Sequence, residues 1–83
     1  MTGQIFHVNL KRGMYSIQVD HNDFIAFELL EMTPLEKGDI VEGNITGHGG
    51  ETLTIKDTNE KIEVFIEVIG ANEKLAKDRC FLT

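Results

Sequence analysis

At 83 residues the chain can build one core and leaves no room for a second, so a single domain over residues 1–83 is expected. Hydrophobic residues at 41% and charged residues at 27% argue against both a disordered tail and a membrane protein. A formal net charge of −6 repels a phosphate backbone at long range, which counts against nucleic acid without excluding it, because single-strand binders also stack bases on aromatic rings. No apolar run approaches the ~20 residues that span a bilayer, and Met1–Gln4 has neither the basic start nor the apolar segment of a signal peptide. A cytoplasmic location and no membrane partner are therefore expected. Cys80 is the only cysteine, so an internal disulfide is impossible.

Gln4 to Leu10 is rich in β-formers, and Lys11-Arg12-Gly13 supplies a tight turn, which together predict the first arm of a hairpin. From Met14 to Val19, Tyr15, Ile17 and Val19 alternate with Met14, Ser16 and Gln18, the period of a strand with one buried face. Asp20-His21-Asn22-Asp23 turns the chain into a third strand, Phe24 to Phe27. Glu28 to Glu36 lacks a period and holds the only proline, Pro34, so it reads as a loop or a short helical turn. A fourth strand is predicted over Ile40 to Thr46, with Val41 and Ile45 on one face. Gly47-His48-Gly49-Gly50 reads as a flexible turn before a strand carrying Leu53 and Ile55. After a turn at Asp57 to Glu60, Ile62, Val64, Ile66 and Val68 alternate with Glu63, Phe65, Glu67 and Ile69, the longest strand pattern in the chain. Asn72 is a plausible cap for a helix over Glu73 to Leu82, with Leu75, Ala76, Cys80 and Leu82 as its apolar stripe.

Strands with short turns, no βαβ alternation and one short helix define an all-β chain that closes into a small barrel of five to six antiparallel strands with a C-terminal helix. Ile17, Val19, Ile25, Val41, Ile45, Val64 and Ile66 fall on the buried parity of their strands and should share one core. Phe65 and Ile69 add apolar area on the opposite face of the last strand. Either the terminal helix covers that area or a weak homodimer does.

The run from Gly3-Gln4-Ile5-Phe6-His7-Val8-Asn9 through Lys11-Arg12-Gly13 to Ile17 and Val19 resembles the start of a cold-shock domain, typically Gly-Lys-Val-Lys-Trp-Phe-Asn followed by Lys-Gly-Phe-Gly-Phe-Ile. Asp23-Phe24-Ile25-Ala26-Phe27 is similar to the family's Val-Phe-Val-His-Phe motif, and Leu35-Glu36-Lys37-Gly38 to its Leu-Glu-Glu-Gly. The resemblance covers about residues 3–46. The Glu51–Glu60 stretch would be an insertion, and the whole chain resembles small uncharacterised bacterial proteins that carry a segment similar to Gly49-Gly50-Glu51-Thr52-Leu53. The resemblance implies an OB-type, cold-shock-like barrel. It also implies that one face of the second and third strands binds unpaired bases of single-stranded RNA or DNA. Carried over residue by residue, that face holds His7 for the tryptophan, Met14 and Ser16 for two phenylalanines, and Phe24, Ala26 and Phe27 from the second motif, with Lys11 and Arg12 near phosphate. Only Phe24 and Phe27 keep their rings, and barrel core accounts for them equally well.

The remaining motifs carry less. The Gly47–Gly50 run precedes a strand instead of a helix and lacks a Gly-x-Ser-x-Gly nucleophile, so a turn is preferred to an oxyanion hole. His7, His21 and His48 are scattered, without metal-ligand spacing, and Glu63 with Glu67 reads as a solvated face. Cys80 reads as a small core residue. No catalytic residue, metal or cofactor is expected. The leading expectation is a non-enzymatic module for weak single-stranded nucleic-acid binding through His7, Lys11, Arg12, Met14, Phe24 and Phe27; the runner-up is a protein-interaction or homodimerisation module without nucleic acid, and an enzyme comes third.

Overall fold

The computed structural model describes residues 1–33 and 35–81. Pro34, expected in the loop after the third strand, and Leu82, expected on the helix stripe, lie outside the described residues. Six strands form: β1 (Thr2–Asn9), β2 (Met14–Asp20), β3 (Asp23–Leu29), β4 (Ile40–Glu42), β5 (Gly49–Ile55) and β6 (Glu60–Ala71), followed by helix α1 (Glu73–Phe81). They close into a barrel in the order β1-β2-β3-β6-β5-β4, with every pairing antiparallel. The chain makes a meander of three strands and then sends β4 back beside β1, the 4-1-2-3 order of a Greek key. The result is a small OB-type barrel with a short C-terminal helix.

Local sequence explains the turns. Gly13 adopts φ 64° between β1 and β2, and its N–H donates to the Leu10 carbonyl at 3.3 Å. Between β5 and β6, Asn59 takes φ 59°, a left-handed conformation that asparagine tolerates better than most residues. The barrel interior is filled by the inward parity of each strand. Ile5, Ile17, Ile25, Phe27, Val41, Leu53, Ile62, Val64 and Ile66 belong to one buried cluster, and Val19 and Ile45 pack against its margin. All seven expected core residues are thus in or against that cluster.

Three expectations are corrected. The fourth strand ends at Glu42 and does not reach Thr46. A Cβ on Gly43 would stand 2.5 Å from Leu53 Cδ2 and 3.1 Å from the Thr52 carbonyl oxygen, so the missing side chain lets the backbone cross β5 closely and leave the barrel wall. The glycine run is split: Gly49 and Gly50 open β5, opposite Ile66 and Phe65, and only Gly47 and His48 remain in the connection. Val68 does not continue the inward parity of Ile62, Val64 and Ile66. Ile66 lies opposite Phe27 and Val68 opposite Ala26, so one extra residue is inserted on β6, and this bulge turns Val68 to the outer face.

Helix α1 starts where Asn72 Oδ1 accepts the Leu75 N–H at 2.8 Å. Glu73 in the first turn and Arg79 in the last complement the helix dipole. Ala76 and Cys80 are buried, whereas Leu75, expected on the apolar stripe, is half exposed. The helix lies against the outer side of β1, β2 and β3 and the end of β6, where its residues join clusters with Met14, Ala26 and Val68, and with Phe24, Ala71 and Phe6.

Candidate functional site: the face beneath the C-terminal helix

The outer parity of β2 presents Met14 and Ser16, and that of β3 presents Phe24 and Ala26. A register shift in β1 between Ile5 and His7 turns His7 to the same side, opposite Ser16. His7, Met14 and Phe24 of the sequence-derived site, together with Ser16 and Ala26, therefore do share one face. All five are buried, Ser16 and Ala26 completely. Ala26 packs with Cys80 and Ala71 with Ala76, so small side chains lie between α1 and the sheet. The positions where cold-shock aromatics would stand form the floor of a helix seat.

Phe27 belongs elsewhere. Phe24 and Phe27 are three residues apart on one strand, which places them on opposite faces. Phe27 is fully buried inside the barrel and stacks on Tyr15 with ring centroids 5.7 Å apart. It is core and not a base-stacking ring, and the period of the strand was the signal for it. Phe6, not named from the sequence, takes its place beside the site. Its ring meets Phe24 edge-on at 5.2 Å and His7 edge-on at 5.0 Å.

The two basic candidates have different surroundings. Arg12 Nη1 donates to the carbonyls of Arg79 at 3.0 Å and Cys80 at 3.2 Å, and Asn9 Nδ2 donates to the Cys80 carbonyl at 2.9 Å. These contacts occupy carbonyls that the last turn of a helix leaves without partners. Lys11 is exposed on the other side of the turn, where it and Arg12 border a groove with Leu10, Leu29 and Met32.

His7 is the polar centre of the seat. Its Nδ1 lies 2.6 Å from Ser16 Oγ, its backbone N–H donates to the same oxygen at 3.1 Å, and its Nε2 stands 3.5 Å from Glu73 Oε2 on α1. A neutral ring with the proton on Nε2 satisfies all three groups: Ser16 donates to Nδ1, and Nε2–H points at the carboxylate. Burial lowers the His7 pKa below its ordinary value, and the nearby Glu73 carboxylate opposes that shift. The Ser16–His7–Glu73 sequence has the residue types of a nucleophilic relay. Ser16 is 0% exposed, however, and with His7 and Glu73 it links β1 and β2 to α1. The Cys80 thiol is likewise sealed, its pKa pushed up to about 11 by burial, with the Arg12 guanidinium opposing.

Elsewhere, Glu63 is exposed and accepts a hydrogen bond from Thr52 Oγ1 at 2.8 Å. His21 and His48 are exposed. Among the described residues no group of three or more His, Cys, Asp or Glu side chains is placed to hold a metal ion, and no helix is long and apolar enough to cross a membrane.

Fold and site together define a small closed Greek-key barrel with one outer face covered by its own terminal helix. Comparison with protein-family models, with curated proteins and with solved structures gives no match.

Proposed function

We propose that the chain is a non-enzymatic protein-interaction module. The observation that carries this reading is the seating of α1: the face on which bases would stack is filled by the chain itself, and Arg12 spends hydrogen bonds on the helix end. Stacking on Phe24 requires α1 to lift, at the loss of the buried Ala76 and Cys80 contacts. Large apolar side chains stay outside the seat. Phe65 remains about two-fifths exposed on the outer face of β6, uncovered by α1, whereas Ile69, equally exposed, follows the bulge that turns Val68 outward and takes the other parity, so the two do not form the single apolar area expected for a homodimer. The −6 net charge adds a general repulsion of phosphate. A cytoplasmic setting goes with this reading.

Nucleic-acid binding is the second reading, favoured by the edge-to-face cluster of Phe6, His7 and Phe24 that a lifted helix would expose. One pair of measurements separates the two. The ¹⁵N-labelled chain is titrated with short single-stranded DNA and RNA at low salt, and photo-crosslinking side chains are placed at exposed positions in cells. Protein adducts, competed by the unmodified chain and accompanied by no oligonucleotide shifts, support the module. Shifts clustered on β2 and β3 with loss of the α1 resonances overturn it in favour of nucleic acid.

A further inference from the structure

Resting on the protein-interaction reading, we infer that the groove between the β1–β2 turn and the segment after β3 is the docking site. Its occupant is an extended segment of another protein that carries apolar side chains flanked by aspartate or glutamate. Leu10 is 75% exposed and Met32 96% exposed, the two largest exposures among the bulky apolar residues, and they line the same groove with Leu29 between them. Together with Leu29 they give the groove an apolar lining with polar residues around it. The groove is an open surface channel with about 450 Å³ of space along it. The Leu29 N–H donates to the Gly13 carbonyl at 2.8 Å, so the turn and the end of β3 are tied into one wall. Met32 on the facing side is unbranched and can repack around different apolar shapes.

Charge selects the occupant. Lys11 stands exposed on this groove and Arg12 lines it while its Nη1 holds the helix end, with Glu31 as the acidic side chain among the lining residues and Glu60 bonded to Thr33 at its edge, on a molecule whose net charge is −6. An acidic segment is turned away from most of the surface and attracted here, which gives orientation as well as affinity. The lining is aliphatic: Tyr15 is only 3% exposed, and its ring is stacked on Phe27. Without an accessible ring the groove offers no platform for a base, so its chemistry fits a protein segment and not a single strand. A second copy of this chain could offer Phe65 between Glu63 and Glu67. Groove-to-β6 association would bring together two chains of like net charge, so a foreign segment is the occupant inferred.

The test uses the full chain and three variants at exposed positions, Leu10→Ser, Met32→Ser and Lys11→Glu, which leave the core intact. The probe is a fluorescein-labelled peptide of about eight residues, Asp-Glu-Leu-Phe-Asp-Leu-Glu-Glu. Its controls are a charge-reversed peptide with Lys and Arg at the acidic positions and an oligothymidine of similar length. Expected are binding of the acidic peptide at roughly 10–500 μM and amide shifts confined to Leu10–Gly13 and Glu31–Thr33. Leu10→Ser and Met32→Ser should each weaken binding about five-fold or more, and Lys11→Glu should weaken it and reduce its loss with added salt. Equal or tighter binding of the charge-reversed peptide, shifts centred elsewhere, or no binding up to about 1 mM overturns the inference. Self-association in sedimentation that Met32→Ser and Phe65→Ser each abolish also overturns it, by making a second copy the occupant. If crosslinking in cells gives protein adducts away from the groove, this docking site falls while the module reading stands. If no protein adduct forms anywhere, the module reading itself falls.

Discussion

Single side chains decide what the outer face of β2 and β3 can do. Ser16 and Ala26 are completely buried beneath α1, and each has just the bulk that a helix backbone lying on a sheet leaves room for. Ala26→Phe, which puts a ring where the seat holds a methyl group, should overpack the seat by ~1–3 kcal/mol and push α1 off. The expected readout is a loss of helical circular dichroism together with rapid reaction of Cys80 with a thiol reagent. An unchanged, unreactive Cys80 would show that the seat has slack. The inward side chains were legible at this scale because period-two alternation is a direct consequence of the pleat, and Ile17, Ile25, Val41, Val64 and Ile66 obey it. Phe27 was legible by the same rule and stands in the core with Ile25. The helix seat was not legible, because small residues on a strand look the same whether they face water or a helix.

At the scale of elements, α1 is nine residues long, shorter than the ~12–15 residues at which isolated helices become even marginal. Its docking contacts therefore hold it. The Asn72 cap was readable from the sequence, as was the helix itself. The anchoring of its far end by Asn9 and Arg12 was not, since it joins residues about seventy positions apart. Arg12→Ala leaves the Arg79 carbonyl and one Cys80 contact without the guanidinium, a loss of ~1.5–3 kcal/mol for a charged hydrogen bond, reduced by partial exposure. Local opening of the helix end should rise about ten-fold, and the Cys80 modification rate under native conditions should rise with it. Unchanged rates would mean that Ala76 and Cys80 packing alone holds α1. The bulges in β1 and β6 escaped the sequence reading for a related reason. Alternation in Ile62–Val68 continues unbroken in the letters, and only the pairing with β3 reveals the inserted residue that turns Val68 outward.

The whole molecule is closed unevenly. β3 and β5 each share long ladders with β6, whereas the three-residue β4 pairs with β1 at Thr2–Gln4 and with β5 at Val41 and Glu42, a short seam continued by the Ile5–Asp39, Gly38–Ile5, Gly43–Met1 and Lys56–Ile40 backbone bonds. Native-state hydrogen exchange should therefore show the amides of the β4 seam opening well before those of β3 and β6, and uniform protection around the barrel would contradict this. Acid sensitivity is a second global property, and His7 sets its sign. Burial holds the folded His7 pKa below the ordinary value of 6.5, with lesser contributions in the same direction from Lys37 and Lys77, while Glu73 pulls the other way. As pH falls through that ordinary value, the unfolded chain takes up a proton that the folded chain does not yet bind. Stability present above this range is lost as pH descends, and the loss levels off only below the folded pKa. The urea midpoint of the wild-type chain should thus drop more between about pH 7.5 and pH 5.5 than that of His7→Gln, which keeps a polar group beside Ser16 without titrating. The carboxylates elsewhere affect both proteins alike and cancel in the comparison. Glu73→Gln removes the opposing charge, so its midpoint should fall more steeply than the wild type's over the same interval. A shallower fall in Glu73→Gln, or equal slopes in all three proteins, would mean that the imidazole does not couple the helix to the barrel.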